Sequence, residues 1–294
     1  MKFKSIRSAF CTLALVIAAL VVPASALAAV EEFPERSVGG MATDPEGNVW
    51  AVEGIQDRVV KLNAAGETID QFESATMKEP FGIDVDSEGF IWITDFKGPA
   101  VQKYNSNGEL LAQFGSHGTG KGQVTWPLDI DVRSTDGMVF VTDTWGGGSQ
   151  EGRVQRFSSE GQFLGIIGEE GCAQGEWEVC QPWGIVSDAE GNVWVTETGI
   201  GRVHRFGPSG NFSFETYPGM TQPAGVALDL AGDLWVGGAN ENRFVNEYSP
   251  AGEYLSVFGG EEPFPMNEPY GITVDGEGSV WVSDLPENRL LKQN

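Results

Sequence analysis

One phrase recurs six times along the chain, and this repeat restricts the possible folds more than any other feature of the sequence. Its second copy runs through Pro80–Asp86, a Ser-Glu-Gly turn and Phe90–Asp95, and continues with Val101–Tyr104 and Glu109–Phe114. Each copy contains four short segments of alternating apolar and polar residues, separated by Gly, Asp, Asn and Ser. Four antiparallel strands per repeated unit are typical of a β-propeller.

The number of blades follows from the aromatic residue in the second segment of each copy. These residues are Trp50, Trp92, Phe140, Trp194, Trp235 and Trp281. Successive spacings are 42, 48, 54, 41 and 46 residues, which suits one four-stranded blade each. The sequence therefore predicts an all-β, six-bladed β-propeller with four antiparallel strands per blade.

Closure of the ring requires a strand from elsewhere in the chain. Copy six stops after Arg289–Lys292, the end of its third segment, while Ala29–Phe33 precedes copy one and has no place in it. We predict that this N-terminal strand completes the last blade. The alternative is an open array with an unpaired edge, which is less favoured because such edges promote aggregation.

The first 28 residues have the order of a secretory signal peptide. Lys2, Lys4 and Arg7 precede an apolar run over residues 9–22, and small residues follow up to Ala28. The run has 14 residues, whereas a membrane span needs ~20, so an uncleaved anchor is the weaker alternative. We expect a signal peptide over 1–28, a propeller over 29–294, secretion to the periplasm or the exterior, and no membrane span after cleavage.

The charge of the chain limits its partners. Removal of three basic residues with the signal peptide leaves 15 against 42 acidic residues, a formal charge of −27. Such a surface repels phosphate backbones, so we expect no nucleic-acid partner. Glycans, peptides, proteins and cations stay open, and the protein is expected to be a monomer.

Two cysteines remain after processing, Cys172 and Cys180. In an exported protein this close pair favours a local disulfide, with a metal pair as the weaker alternative.

The repeat phrase, Pro-x-Gly-Ile-x-Val-Asp followed by an acidic-Gly turn and Val-Trp-Val-x-Asp, resembles the NHL repeat. Residues 118–123, before Pro127, are similar to the linker between NHL repeats. The resemblance covers residues 29–294 and implies a propeller fold. It implies little about function, because NHL propellers serve unrelated roles.

Residues that obey the repeat are expected to be structural. The aromatic residues of the second segment should pack between blades. The acid that ends this segment and the Arg that opens the third should form ion pairs, as at Glu53 and Arg58, Asp143 and Arg153, Glu197 and Arg202, and Asp284 and Arg289.

Departures from the repeat are better candidates for a functional site. The longest insertions fall in connections that share one face of the propeller. Phe81, Trp183 and Tyr270 follow the repeat's Pro, at the predicted entrance of the channel, and Trp145 lies in an insertion. Aromatic rings with a polar edge suit stacking on ligands, so we predict ligand contacts for these four residues.

Three carboxylates also depart from the repeat. Asp84 and Asp131 replace small or apolar residues of the first segment, and Asp129 replaces its Gly. They are candidate ligands for Ca²⁺ or Mg²⁺. The alternative is hydrogen bonding to neighbouring backbone or to Arg133.

Two function classes follow. The favoured one is a non-catalytic binding module that recognises a glycan, peptide or protein through the insertion-rich face. The alternative is a divalent-cation-dependent lactonase, hydrolase or lyase with its site at the channel mouth, resting on Asp84, Asp129 and Asp131. Residues 194–203 are similar to the streptogramin lyase repeat, which depends on several histidines. This chain has two, His117 in an insertion and His204, expected on a blade surface.

Overall fold

The computed structural model describes residues 30–34, 38–145, 152–170, 178–208, 210, 212–215, 220–238, 243–259 and 265–294. They form six four-stranded sheets, each of which is one blade. The predicted all-β, six-bladed fold is therefore confirmed. The predicted signal peptide lies outside the described residues. None of the helical segments among the described residues is long and apolar enough to cross a membrane.

In chain order the strands are β1 (Val30–Pro34), β2 (Met41–Thr43), β3 (Val49–Glu53), β4 (Arg58–Leu62), β5 (Thr68–Glu73), β6 (Pro80–Val85), β7 (Ile91–Asp95), β8 (Val101–Tyr104), β9 (Leu110–Phe114), β10 (Ser116–His117), β11 (Gln123–Val124), β12 (Pro127–Val132), β13 (Val139–Asp143), β14 (Arg153–Phe157), β15 (Phe163–Ile167), β16 (Glu169–Glu170), β17 (Glu178–Val179), β18 (Pro182–Ser187), β19 (Val193–Glu197), β20 (Arg202–Phe206), β21 (Phe212–Glu215), β22 (Pro223–Leu228), β23 (Leu234–Gly238), β24 (Phe244–Tyr248), β25 (Tyr254–Gly259), β26 (Pro269–Val274), β27 (Val280–Asp284) and β28 (Arg289–Gln293). Blades one to five are β2–β5, β6–β9, β12–β15, β18–β21 and β22–β25. The short strands β10 with β11, and β16 with β17, pair in parallel between blades. Two 3₁₀ turns span Gly54–Gln56 and Leu285–Glu287.

Blade six is completed by the N-terminal strand. Its order is β26, β27, β28 and β1, and β1 runs antiparallel to β28 with Val30 opposite Gln293 and Pro34 opposite Arg289. The ring of Phe33 on β1 stacks on Trp281 of β27, with centroids 5.4 Å apart. The predicted closure is therefore confirmed, and β1 covers the edge that β28 would otherwise expose.

The repeated aromatic residues pack between blades, as predicted. Trp50 of blade one lies in one apolar cluster with Ile83 and Ile91 of blade two. Trp281 of blade six packs in the same way against Val49 of blade one. The exposed fraction of the six residues is at most 7%, reached by Trp235. Burial of these large rings joins each blade to the next.

A carboxylate and a cation enclose this aromatic residue in several blades. In blade two, the indole N–H of Trp92 donates to Asp86 over 2.8 Å, and the ammonium of Lys103 lies 4.5 Å from the Trp92 ring centroid. Lys103 also pairs with Asp86 at 3.4 Å. The same arrangement occurs in blades one and six at Asp44, Trp50 and Lys61, and at Asp275, Trp281 and Lys292. Blade five has Glu247 opposite Trp235 instead.

The acid that ends the second strand holds the linker before its own blade. Asp143 accepts the backbone N–H groups of Thr125 and Trp126 at 3.0 and 2.8 Å. It also pairs with Arg153 at 3.1 Å. The other predicted ion pairs are present at Glu53 and Arg58, Glu197 and Arg202, and Asp284 and Arg289. These interactions fix the linkers on the face where the aromatic insertions lie.

The expectation that His204 lies on a blade surface is wrong. His204 is fully buried, and its Nδ1 lies 3.1 Å from Glu197. The equivalent Gln102 and Gln155 are buried as well, and each donates to a carbonyl of the linker before its blade. This position of the third strand therefore faces a linker rather than solvent.

Candidate functional site

A cavity of about 210 Å³ occupies the central channel and is lined by the first strands of all six blades. In blades two to six the register between first and second strand shifts after the repeat's Pro, as between Pro80 and Ile83. This irregularity places the two residues after the Pro at the upper end of the channel. We call this end the mouth.

Side-chain size at the mouth alternates around the ring. The residues in blades one to six are Gly39, Phe81, Leu128, Trp183, Ala224 and Tyr270. Because the odd-numbered blades carry smaller side chains, the large rings of the even-numbered blades can meet over the channel. The indole of Trp183 stacks on the Tyr270 ring with centroids 5.1 Å apart, and Phe81 contacts Trp183 edge-on at 6.4 Å.

The aromatic contacts continue from the mouth onto the outer face. Phe81 lies 5.5 Å from Phe96, which lies 5.5 Å from Trp126, and Trp126 lies 6.1 Å from Trp145, measured between ring centroids. Trp126 and Trp145 are 49% and 43% exposed. The structure thus brings Phe81, Trp183 and Tyr270 together at the cavity, whereas Trp145 does not line it. Their ligand contacts stay a prediction.

Asp84, Asp129 and Asp131 all line the cavity. The carboxylate of Asp84 accepts the N–H of Val132 in blade three at 2.6 Å. Asp131 accepts the N–H and the hydroxyl of Ser187 in blade four at 2.8 and 2.6 Å. These bonds agree with the alternative that neighbouring backbone satisfies the acids. They join blade two to three and blade three to four.

Asp129 lies nearer the mouth, at the position where the other blades have Gly. Its carboxylate accepts the N–H of Ile185 in blade four at 3.0 Å, and its own N–H is bonded to the hydroxyl of Thr142 at 2.9 Å. The side chain is therefore held in one orientation at the cavity wall.

The three carboxyls retain protons more strongly than carboxyls in water. Burial raises the pKa of Asp129 to about 7, and the nearby charge of Asp131 adds to the effect. Burial raises the pKa of Asp131 to about 6, against the opposing effect of its bonds from Ser187. Burial and the charge of Asp131 raise the pKa of Asp84 well above its usual value. Groups with such pKa values exchange protons near neutral pH.

The three channel acids have the ligand type that the predicted cation needs, but their oxygens are not close enough together. Carboxylate oxygens are hard ligands, and a cation would relieve their mutual repulsion. Among the residues that the structure describes, however, the acids with ligand oxygens within 4.8 Å of one another are Asp229, Asp233 and Glu247 on blade five. The channel acids do not form such a group, and a cation there stays a prediction.

Sequence reasoning missed several residues of this site. Ser187 satisfies both oxygens of Asp131, and Phe96 links the mouth to the outer aromatic residues. Thr43 and Thr273 line the cavity and share a hydrogen bond of 2.9 Å. The sequence repeat could have placed Thr273 in the channel, since it occupies the same repeat position as Asp84 and Asp131.

The predicted disulfide falls partly outside the described residues. Cys180 is buried and disulfide-bonded. Cys172 is not among the described residues, so the pairing of the two stays a prediction.

Comparison with known proteins identifies the family. The sequence profile of the virginiamycin B lyase family matches residues 29–292. The chain belongs to the virginiamycin B lyase family. No curated protein matches the sequence. The similarity of residues 194–203 to the streptogramin lyase repeat agrees with this membership, while the NHL resemblance is compatible with the propeller but not confirmed.

Solved structures share the fold at low sequence identity. A catalytically inactive variant of virginiamycin B lyase from Staphylococcus aureus with quinupristin is 18% identical, covering 87% of this chain and 79% of that chain, with a TM-score of 0.62. A gluconolactonase from Xanthomonas campestris is 16% identical, covering 90% and 89%, with a TM-score of 0.68. Regucalcin from Agrobacterium tumefaciens, a calcium-binding protein, is 13% identical, covering 89% and 91%, with a TM-score of 0.64.

The family corrects the favoured function. The chain was expected to be a non-catalytic binding module, and this expectation is wrong because the family is one of lyases. The small number of histidines does not exclude catalysis, since carboxyls with raised pKa values can move protons without one. The alternative, an enzyme with its site at the channel mouth, is the better supported interpretation.

The two histidines of this chain lie away from the channel cavity. Replacement of a histidine by alanine gives the catalytically inactive S. aureus lyase. In this chain neither His117 nor His204 lines the channel cavity. His117 is exposed on β10, and burial, with the nearby charge of Arg202, lowers the pKa of His204 to about 3.

Proposed function

We propose that this member of the virginiamycin B lyase family is an enzyme that opens small cyclic esters by carboxyl acid–base catalysis in the channel. The observation that carries the proposal is that Asp129 and Asp131, whose pKa values burial raises, line one aromatic-rimmed cavity. Two carboxyls in different environments of one site can act as acid and base in one reaction.

We assign the roles from the contacts of each carboxyl. Asp131, whose oxygens accept the N–H and the hydroxyl of Ser187, is the base that accepts a proton from the attacking water. The water oxygen bonds to the ester carbonyl carbon, and the ring C–O bond breaks. Asp129, whose pKa burial raises to about 7, is the acid that donates its proton to the leaving oxygen. Proton transfer from Asp131 to Asp129 through solvent restores both groups.

The cavity supports a small substrate. Its volume of about 210 Å³ lies below the ~300–1,000 Å³ of typical ligand sites. A monocyclic ester suits this space, whereas a large cyclic peptide would be confined to the outer face. The hydroxy acid product is anionic, and the acidic protein, with a formal charge of −24, favours its release.

Family membership favours elimination as a second candidate reaction. In that reaction the base removes a proton from carbon, and the ring opens without water. A small-molecule ester takes the place of the predicted glycan, peptide or protein ligand. Secretion, a monomeric state and a channel Ca²⁺ or Mg²⁺ belong to the proposal as further expectations.

The test is turnover of five- and six-membered lactones and of a cyclic depsipeptide, followed by mass spectrometry. Hydrolysis adds the mass of water, and elimination leaves the mass unchanged. Asp129→Asn and Asp131→Asn should each lower kcat/KM by roughly 100-fold or more, the usual contribution of a positioned acid or base. The matched control is Asp70→Asn, because Asp70 is exposed on β5. Wild-type rates in both channel variants would refute the roles assigned here.

A further inference from the structure

A second cavity of about 210 Å³ opens on the same face as the mouth. Most of its lining is apolar. The lining residues are Gly39, Gly54, Ile55, Glu79, Pro80, Phe81, Phe96 and Leu285. We call it the outer cavity, and the cavity that contains the aspartates the channel cavity.

Two residues, Gly39 and Phe81, line both cavities. A Cβ atom on Gly39 would lie 3.0 Å from the carbonyl oxygen of Phe81 and 3.6 Å from its ring. Because Gly39 has no side chain, the ring of Phe81 is the main side chain between the two spaces. A ligand that bends past this ring would reach both of them.

Apolar side chains line the outer cavity even where they are exposed to solvent. Ile55, 77% exposed, and Leu285 lie on the 3₁₀ turns that follow the second strands of blades one and six. Both line the same space as Phe96. The charge of Glu79 is paired with Lys97, so it offers little opposition to an apolar ligand. The chemistry of this lining suits a hydrocarbon chain.

We propose that the outer cavity is a subsite for an apolar tail, and that the substrate is a lactone with a linear alkyl side chain. The ring lies in the channel cavity beside Asp129, and the tail lies between Ile55, Phe96 and Leu285. This inference rests on the proposed function, because it takes the channel cavity as the place of reaction. Together the two cavities reach the volume of a typical ligand site.

The first experiment uses the purified protein and lactones of one ring size whose alkyl tails lengthen by one methylene at a time. A buried methylene contributes ~0.8 kcal/mol, so kcat/KM should rise roughly fourfold with each methylene until the cavity is full. Equal kcat/KM values across the series would overturn the subsite.

Substitutions in the outer cavity test where the tail binds. Ile55→Ser combined with Leu285→Ser should reduce the ratio of kcat/KM between the longest-tailed and the tail-less lactone by about tenfold or more. The control is Leu230→Ser, since Leu230 is 81% exposed on the far side of blade five, between its first and second strands. This control should leave the ratio as in the wild type. An equal effect of both substitutions would refute the assignment.

Binding of non-hydrolysable lactams with the same tails separates the two proposals. If no lactone is turned over but calorimetric affinity rises with tail length and falls in the Ile55 and Leu285 variant, the proposed function fails and the subsite stands. If lactones are turned over while lactam affinity is independent of tail length, the subsite fails and the proposed function stands.

Discussion

The rings of Trp183 and Tyr270 stack at 5.1 Å, although they belong to blades four and six. They meet because Ala224, which occupies the mouth position of blade five between them, is small and fully buried. This contact spans blade five and narrows the entrance to the channel.

Replacing Trp183 should therefore affect both stability and access. Trp183→Ala is expected to lower the free energy of unfolding by about 1–3 kcal/mol, through lost burial and a lost aromatic pair. It should also raise the rate of ligand entry. Urea unfolding and stopped-flow binding measure the two effects. Trp145→Ala, at a 43% exposed ring, should cost less than half as much, and a larger cost there would contradict this account.

The channel carboxyls make a clear prediction for pH. Because the pKa of Asp129 is about 7 and that of Asp131 about 6 in the folded protein, against 3.8 without the fold, the folded state binds more protons between these values. The contribution of these two carboxyls to stability should therefore fall as pH rises from about 4 to 7, by at most about 1.4 kcal/mol per pH unit for each group. Thermal unfolding at pH 5 and pH 8 measures the slope.

Asp129→Asn should reduce this slope, since an amide does not titrate. Asp70→Asn, on the exposed strand β5, should leave it unchanged. A slope that is the same in the wild type and in Asp129→Asn would mean that this carboxyl ionises at its ordinary pKa.

The repeat predicts a stabilising substitution in blade five. Glu247 lies opposite Trp235, where blades one, two and six carry Lys61, Lys103 and Lys292 above their Trp rings. Glu247→Lys should place an ammonium over Trp235 and beside Asp229, and stabilise the protein by roughly 0.5–1 kcal/mol. Thermal unfolding measures the gain. Glu88→Lys, an exposed substitution with the same change in charge, should give none.

Because β1 completes blade six, a single residue of this strand should strongly affect stability and aggregation. Phe33→Ala removes the ring that stacks on Trp281 and should lower stability by about 1–3 kcal/mol. It should also increase aggregation, because release of β1 exposes the edge of β28. Thermal unfolding measures the loss of stability, and light scattering during slow heating measures the aggregation. Glu31→Ala, on the exposed side of the same strand, should behave as the wild type.

The cation expected in the channel can be tested by unfolding in chelator and in excess Ca²⁺. Binding at a hundred times the dissociation constant adds ~2.7 kcal/mol and should raise the Tm by roughly 5–10 °C. Asp84→Ala with Asp131→Ala should abolish the rise. A rise abolished by Asp229→Asn instead would assign the ion to the acids of blade five.

The fold was predictable because its determinants are local and repeated. Alternating strands, glycine turns and an aromatic residue in the second strand are visible in every copy. The unpaired third strand of copy six required a further strand, and β1 supplies it. The buried aromatic residues and the ion pairs followed from the same repetition.

The site was only partly predictable, because its contacts join residues from different blades. The positions of Asp84 and Asp129 in the channel followed from the repeat, but their bonds to Val132 and Ile185 depend on how neighbouring blades are offset. The outer cavity combines turns of blades one and six with a loop of blade two. His204 was misplaced for the same reason, since its burial beside Glu197 depends on side chains from outside its own strand.

Pairing of β1 with β28 also determines when the ring can be finished. Asn294 donates a hydrogen bond to Glu31 across 263 positions of sequence, so β1 can complete its sheet only after β28 has been synthesised. Until then a nascent chain is an arc whose blade six cannot form, and contacts of such long range make the final step slow. Once they are paired, neither β1 nor β28 can separate without opening this sheet. The integrity of blade six therefore depends on one antiparallel pair between segments far apart in sequence.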